Sequence, residues 1–367
     1  MARSGKSEDL TSLMPLAGKE LLSSSGKALV KRIGVESVRH VIHDVLCGEN
    51  LRSSTELLTR RRIALANGAL IVMFLNGCKN LEHFIDRLPD LATDQLKRGP
   101  SRRESRWILE WMLGLTEKAV QNILRDKPEE LDKYTDEFKI AISEITRNLN
   151  KEFGNLNCTM LMPKVGKSRD MDWKFITHLL TAIGAQTLTI RGSEKSTYGK
   201  LFERLILGSL LHILGFKFVD KDTNIGLNKV FWLTSREEKR ESDATVIYKP
   251  GKGIRFDIGF IGRGNTEISL DKVSRFEREL EYGRSTHFMA TFIIVDRVGP
   301  NSRLYEMARR INGTIIQMSM GYWPVEVAKQ LKVVFGYEHE ILRLPKHKIH
   351  EYLNRRLKEV PTDQFLA

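Results

Sequence analysis

The sequence predicts a mixed α/β (α+β) chain, with a large helical N-terminal region followed by a mixed sheet flanked by helices. Three observations predict it. Up to about residue 160 apolar residues recur at three and four positions, as in Leu57, Leu58, Ile63, Leu65, Leu70, Ile71 and Phe74, which is helical spacing. In the second half, short stretches alternate or run apolar, at 243–248, 254–261 and 287–295, as strands do. Between the halves, 163–170 is rich in Lys, Gly and Ser and reads as a loop. These features suggest a mainly helical region over 1–165 and a second region over 166–367.

Taken in order, Gly99 and Pro100 precede Ser-Arg-Arg-Glu-Ser-Arg at 101–106, a solvated turn leading into a helix over 107–115. Residues 132–153 read as another helix. After the loop, 197–214 is predicted helical and stopped by Gly215, a residue suited to a C-cap. A short strand at 216–219 follows, then a meander of strands at 243–248, 254–261 and 266–270. Helices at 271–282, 302–311 and 324–335 alternate with strands at 287–295 and 314–318, and Pro324 suits the start of the last helix. A meander followed by crossover units gives a mixed sheet with flanking helices.

Composition narrows the function. The chain carries 59 Lys+Arg against 46 Asp+Glu, a net charge of +13, which favours a polyanionic partner such as nucleic acid or an anionic membrane surface. A hydrophobic content of 41% supplies a core and excludes a disordered chain. Cys47, Cys78 and Cys158 lie far apart without a C-x-x-C pair, which excludes a zinc ribbon or a disulfide framework. The opening MARSGKSEDL lacks the apolar stretch of a secretory signal, and the greasiest segment, 205–219, is too short to span a bilayer. The expectation is a cytoplasmic protein without a membrane role.

The segment 241–272 carries most of the chemistry. A three-residue loop at Gly262-Arg263-Gly264 would pair Gly259 with Glu267 and Asp257 with Ser269, leaving Asp257 and Glu267 diagonal neighbours on one face. A preceding loop at 249–253 would pair Tyr248 with Ile254 and put Asp243 on that same face. The reverse face reads Ala244, Val246, Tyr248, Phe256, Ile258, Phe260, Ile268 and Leu270 and is wholly apolar. A slip of one residue would bury the acids, so the register is fixed. Gathered carboxylates repel one another unless a cation sits among them, and hard oxygen ligands suit Mg²⁺ or Mn²⁺.

Other motifs count for less. Gly166-Lys167-Ser168 lacks the upstream glycine and strand of a phosphate loop. His40 and His43 sit three apart on a predicted helix, but no Glu-x-x-His completes a zinc site nearby, so they read as solvated or core residues. His347 and His350 in the basic C-terminal segment read as structural.

The order helix, three-stranded meander, helix, strand, with Asp257 and then Glu267-Ile268-Ser269, resembles the PD-(D/E)XK nuclease fold. More narrowly, RGSEKSTYGKLFERLILGSLLHILGF with DIGFIGRGNTEISLDKVSRFERE resembles the CfrBI family of type II restriction endonucleases, over about residues 190–320. That resemblance implies a sequence-specific double-stranded DNA endonuclease. Asp257, Glu267 and the Ile268 carbonyl would bind Mg²⁺, with Mn²⁺ a substitute, and Asp243 or Glu203 would support the site. The family's lysine position holds Ser269, which leaves Ser269 or Lys272 for that role. Candidate DNA contacts are Lys195 and Ser196 before the Glu203 helix, Arg236 and Arg240 in a charge run, Arg275 beside Lys272 at a helix start, and Arg297, Asn301 and Arg303 after the apolar strand. A homodimer on a palindrome such as CCWWGG, with a partner DNA methyltransferase, is implied as well. Two rivals stay open: a DNA-binding protein with a degenerate site, and a repair or junction nuclease on the same fold.

Overall fold

In a computed structural model of the protein, the helical spacing of the first half becomes a series of helices. The structure describes residues 9–23, 25–121, 127–162, 167–219, 228–234, 242–260, 288–299, 302, 304–310 and 312–366. The helices are α1 (Leu16–Leu22), α2 (Gly26–Ile33), α3 (Val35–Cys47), α4 (Leu51–Asn80), α5 (Phe84–Lys97), α6 (Arg103–Met112), α7 (Glu117–Ala119) and α8 (Pro128–Phe153). A two-stranded hairpin of β1 (Cys158–Met162) and β2 (Lys167–Met171) follows, then the long α9 (Trp173–Ile213).

Two expectations are corrected in this stretch. The described part of the Lys-, Gly- and Ser-rich segment, 167–170, is strand: Cys158 pairs with Met171 and Met162 with Lys167, and the Thr159 hydroxyl donates to Asp170 Oδ1 at 2.6 Å. Helix α9 begins at Trp173, well before the predicted start at 197, so Lys195 and Ser196 lie within the helix. Its apolar stripe continues upstream through Phe175, Leu179, Ala182 and Ile190, all buried.

The chain divides into two compact units that interleave in sequence. The first comprises Met1–Arg32 and Thr59–Lys195, the second Ile33–Leu58 and Ser196–Ala367. Helices α4 and α9 contribute residues to both. In the first unit Leu70, Met73, Phe74, Phe84, Leu88, Trp111, Met112, Phe175 and Leu179 share one apolar core. Helix α4 is long and apolar enough, by length and composition, to cross a membrane. Its Ala66, Leu70, Met73 and Phe74 are buried, its Leu57 and Leu65 are exposed, and its buried Arg62 donates Nε–H to the Leu21 carbonyl at 2.9 Å.

In the second unit six strands stand in the order β3 (Lys217–Phe218), β4 (Val230–Leu233), β5 (Ala244–Lys249), β6 (Lys252–Gly259), β7 (Phe288–Val295) and β8 (Gly313–Gln317). β4, β5 and β6 form an antiparallel meander, while β6, β7 and β8 run parallel. This is the mixed sheet with helices that the sequence predicts, here flanked by α10 (Leu304–Arg310), α11 (Trp323–Phe335) and α12 (Lys346–Lys358). β7 reads as a continuous apolar run because a parallel strand inside a sheet is covered on both faces. β5 and β6 meet at a tight turn. Lys249 pairs with Lys252, with Pro250 and Gly251 between them. Gly251 has φ +77°, the left-handed value a type II turn needs after proline.

On the apolar face Ala244, Val246, Ile254, Phe256, Ile258, Phe292 and Ile294 are all buried. Phe256 and Phe292 meet edge to face at 5.1 Å. Tyr248 stacks on Phe335 instead, after the register shifts between Ile247 and Lys249.

The first unit also carries a buried histidine. His178 on α9 stands edge-on to Phe138, and burial, followed by the nearby Lys174 charge, lowers its pKa from 6.5 to about 4. The unfolded chain therefore binds the proton that the folded unit excludes. Stability is complete above pH 6.5 and falls as the pH drops towards 4, by on the order of 3 kcal/mol for this group. Denaturant titrations at pH 7 and pH 4.5 should show a smaller acid loss in His178→Phe than in wild type. Equal losses would refute this assignment.

Candidate active site

Strand parity decides which side chains meet. Phe256 pairs with Ala244 and Arg255 with Thr245, so one step further along the ladder stand Asp257 and Asp243. This register is two residues away from the predicted pairing of Tyr248 with Ile254. A slip of two preserves the faces, so Asp243 and Asp257 share a side of the sheet as expected. The polar face holds Thr245, Arg255, Asp257 and Thr291, all buried, with Asp243 half-buried at its margin.

Asp257 has Ile293 of β7 beside it on one edge of its strand. On the other edge the Ile258 amide donates to Asp243 Oδ2 at 2.8 Å. The predicted pairing of Asp257 with Ser269, and the predicted strand at 266–270, lie outside the described residues. Glu267, Ile268, Ser269, Lys272 and Arg275 lie outside the described residues, as do Arg236, Arg240, Asn301 and Arg303.

Several contacts fix this end of the sheet. The Thr234 amide donates to the Asp243 carbonyl at 3.2 Å, and the Thr234 hydroxyl donates to the Ser242 carbonyl. Arg204 of α9 reaches the same place: its Nη1 donates to the Thr234 carbonyl at 2.5 Å and its Nε to the Phe365 carbonyl at 3.0 Å. The half-buried Glu203 is the next residue on that helix. Gly208, further along α9, admits the Phe365 ring so closely that a Cβ there would lie 2.6 Å from it.

This end is also where the parallel strands β6, β7 and β8 finish, and in open α/β sheets ligands bind beyond the carboxyl ends of strands. Arg297 follows β7 there and is exposed. The adjacent Val298 amide donates to Gln317 Oε1 at 2.9 Å, and Gln317 donates to the Tyr305 hydroxyl at 3.0 Å. Asp296 accepts from Asn50 Nδ2 at 3.0 Å. The structure thus brings Asp243, Asp257 and Arg297 to one end of the sheet and places Glu203 on the helix tied to it. Lys195 and Ser196 lie further back along α9.

Sequence reasoning missed Arg255 and Arg204. Arg255 has the parity of Asp257 two residues later, which the strand pattern alone reveals. Arg204 gave no such signal, because its partners Thr234 and Phe365 are distant in sequence.

The chemistry of this end suits a phosphodiester: clustered acids for a hard cation, a buried polar face and an exposed arginine in a basic chain. The mixed sheet with its helices is consistent with the restriction-endonuclease-like class of fold. The family model of the CfrBI restriction endonucleases matches residues 35–303. The chain is 36% identical over 350 residues to the type II restriction enzyme CfrBI of Citrobacter freundii, covering 94% of this chain and 95% of that enzyme. No solved structure matches the chain. The protein belongs to the CfrBI restriction endonuclease family, a family of site-specific deoxyribonucleases.

The Asp243 carboxylate does structural work that can be measured. Asp243→Ala removes the acceptor of the Ile258 amide and should cost about 1–3 kcal/mol in stability. Asp243→Asn keeps an acceptor oxygen and should lose less. Urea midpoints of the two variants test this, and equal losses would refute the role.

Proposed function

We propose that the protein is a Mg²⁺-dependent endonuclease of the PD-(D/E)XK kind that cuts both strands of DNA at a short palindrome. The observation that carries this reading is the placement of Asp243 and Asp257 side by side at the carboxyl ends of the parallel strands. The donors suit the ion: carboxylate oxygens favour Mg²⁺, with Mn²⁺ a substitute. Asp257 is fully buried, so an ion it binds would be held out of bulk water, where its charge acts more strongly. When bound, Mg²⁺ supplies positive charge against the phosphate and lowers the pKa of a water molecule.

In this reading Asp257 and Glu267 bind the ion, with the Ile268 carbonyl a further ligand. Asp243 holds β5 against β6 beside them, and Glu203 supports the site from α9. Ser269 or Lys272 orients the attacking water in place of the family's lysine. Arg297 grips phosphate, and Lys195, Ser196, Arg236, Arg240, Arg275, Asn301 and Arg303 contribute further DNA contacts. The water attacks phosphorus in line and leaves a 5′-phosphate and a 3′-hydroxyl. Two strands require two sites, so a homodimer on a palindrome is the simplest assembly, and CCWWGG is the sequence class the resemblance suggests. Such an enzyme would work in the cytoplasm, where a partner DNA methyltransferase protects the host's own sites.

Unmethylated phage DNA incubated with Mg²⁺ should give discrete bands, lost with EDTA. Asp257→Asn and Glu267→Gln should each reduce cleavage on the order of a thousand-fold, equivalent to about 4 kcal/mol. Salt-sensitive binding should persist in both variants. Specific binding without cleavage by wild type, under Mn²⁺ too, would instead identify a DNA-binding protein with a degenerate site and make Ser269 the reason. Cleavage of branched DNA without sequence preference would identify a junction nuclease.

A further inference from the structure

Between its helices α3 and α12, the second unit gathers a different set of donors. On α3, His43 and Cys47 stand four residues apart and so share a helix face. On α12, more than three hundred residues later in the chain, stands His350. The His43 and His350 rings meet at 4.5 Å, edge to face. His43 Nε2 lies 3.6 Å from Cys47 Sγ and 3.2 Å from the His350 carbonyl oxygen. One ligand atom from each of the three residues lies within 4.8 Å of the other two.

We propose that His43, Cys47 and His350 form a zinc site that staples α3 to α12. The distances support it. With Zn–S near 2.3 Å and Zn–N near 2.0 Å, tetrahedral geometry puts a sulfur and a nitrogen ligand about 3.5 Å apart. The His43–Cys47 separation already has that value. Rotation of the exposed His350 ring closes the third edge, and its exposure leaves the fourth position to water. Two imidazoles and a thiolate favour Zn²⁺ over Mg²⁺, which prefers oxygen.

The α3 side of the site is held in place. Trp323 Nε1 donates to the Val45 carbonyl at 2.7 Å, and the Tyr322 amide donates to the Cys47 carbonyl at 3.2 Å. The helix ends at Gly48 with φ +106°, where a Cβ would stand 2.8 Å from the Gly321 Cα, so Cys47 leads into a close backbone crossing. Sequence spacing did not reveal the site, because its third ligand is remote in the chain. A link between such distant residues closes a long loop and stabilises the folded state when the ion binds.

The test uses the full-length chain without a histidine tag, dialysed in excess Mg²⁺ so that oxygen sites are filled. Elemental analysis should find one zinc per chain. Replacing zinc with Co²⁺ should give a thiolate-to-cobalt absorption band in the near ultraviolet. Cys47→Ser should abolish the band. Both Cys47→Ser and His350→Ala should weaken zinc retention by at least about a hundred-fold, the upper range for losing even an outer partner of a zinc ligand. Cys78→Ser and Cys158→Ser should leave band and zinc unchanged. His350 is exposed, so its variant keeps the test valid should Cys47→Ser fail to fold. Wild type with no zinc and no cobalt band, a band that survives Cys47→Ser, or zinc retention unchanged in His350→Ala would each overturn the proposal. None of these readouts depends on DNA cleavage.

Discussion

The antiparallel ladder between β5 and β6 sets Phe256 beside Ala244 and Ile254 beside Val246, and the rest of the second unit follows from that pairing. These four side chains are fully buried. Shifting either strand by one residue would exchange them for Arg255, Asp257 and Thr245 and drive a guanidinium and a carboxylate into the apolar layer. The hydrophobic face therefore enforces the position of the acids. Asp243 adds a second restraint where the ladder ends, because its carboxylate takes the Ile258 amide that no further β5 residue reaches.

The parallel half of the sheet gives that position its direction. β6, β7 and β8 all finish at the end where Asp257 stands. Arg297 and Asp296 come from the segment after β7, and Gln317 closes β8. Gln317 accepts from the Val298 amide and donates to Tyr305, which holds the backbone beside Arg297 in place. Arg204 performs the matching task on the antiparallel side by joining α9 to Thr234 and Phe365. An acid pair on a sheet tied down from both sides is pre-organised, and this matters for a reaction whose transition state gathers charge.

Much of this was legible in the sequence. Apolar alternation over 244–248 and 254–258 revealed both strands and the face of each residue, because a period of two is a local property. The exact register was not local. The loop at 249–253 appeared to hold five residues, but Pro250 and Gly251 turn the chain in two, with the mismatch absorbed between Ile247 and Lys249. β4 is only four residues long and offers no clear alternation, so the sequence does not reveal the strand that pairs with β5 on its outer side. Helix α9 was predicted too short because glycine and serine at 192–196 resemble a helix start, although buried residues on both sides carry the helix through.

The two proposed donor sets of the second unit differ in hardness, and this difference would let one chain keep two kinds of metal apart. The acids at the sheet end offer oxygen alone, which an ion such as Mg²⁺ accepts while keeping part of its water shell. The cluster between α3 and α12 offers nitrogen and sulfur, which Mg²⁺ binds poorly and zinc binds well. Millimolar Mg²⁺ would therefore leave the helix cluster untouched, and trace zinc held there would not occupy the acids. α3 is anchored to the start of α11 through Val45 and Trp323, and α11 reaches the sheet where Phe335 stacks on Tyr248 of β5. Zinc at the proposed site would therefore steady α3 and, through Trp323, the helix that packs on β5, without placing a second ion among the acids.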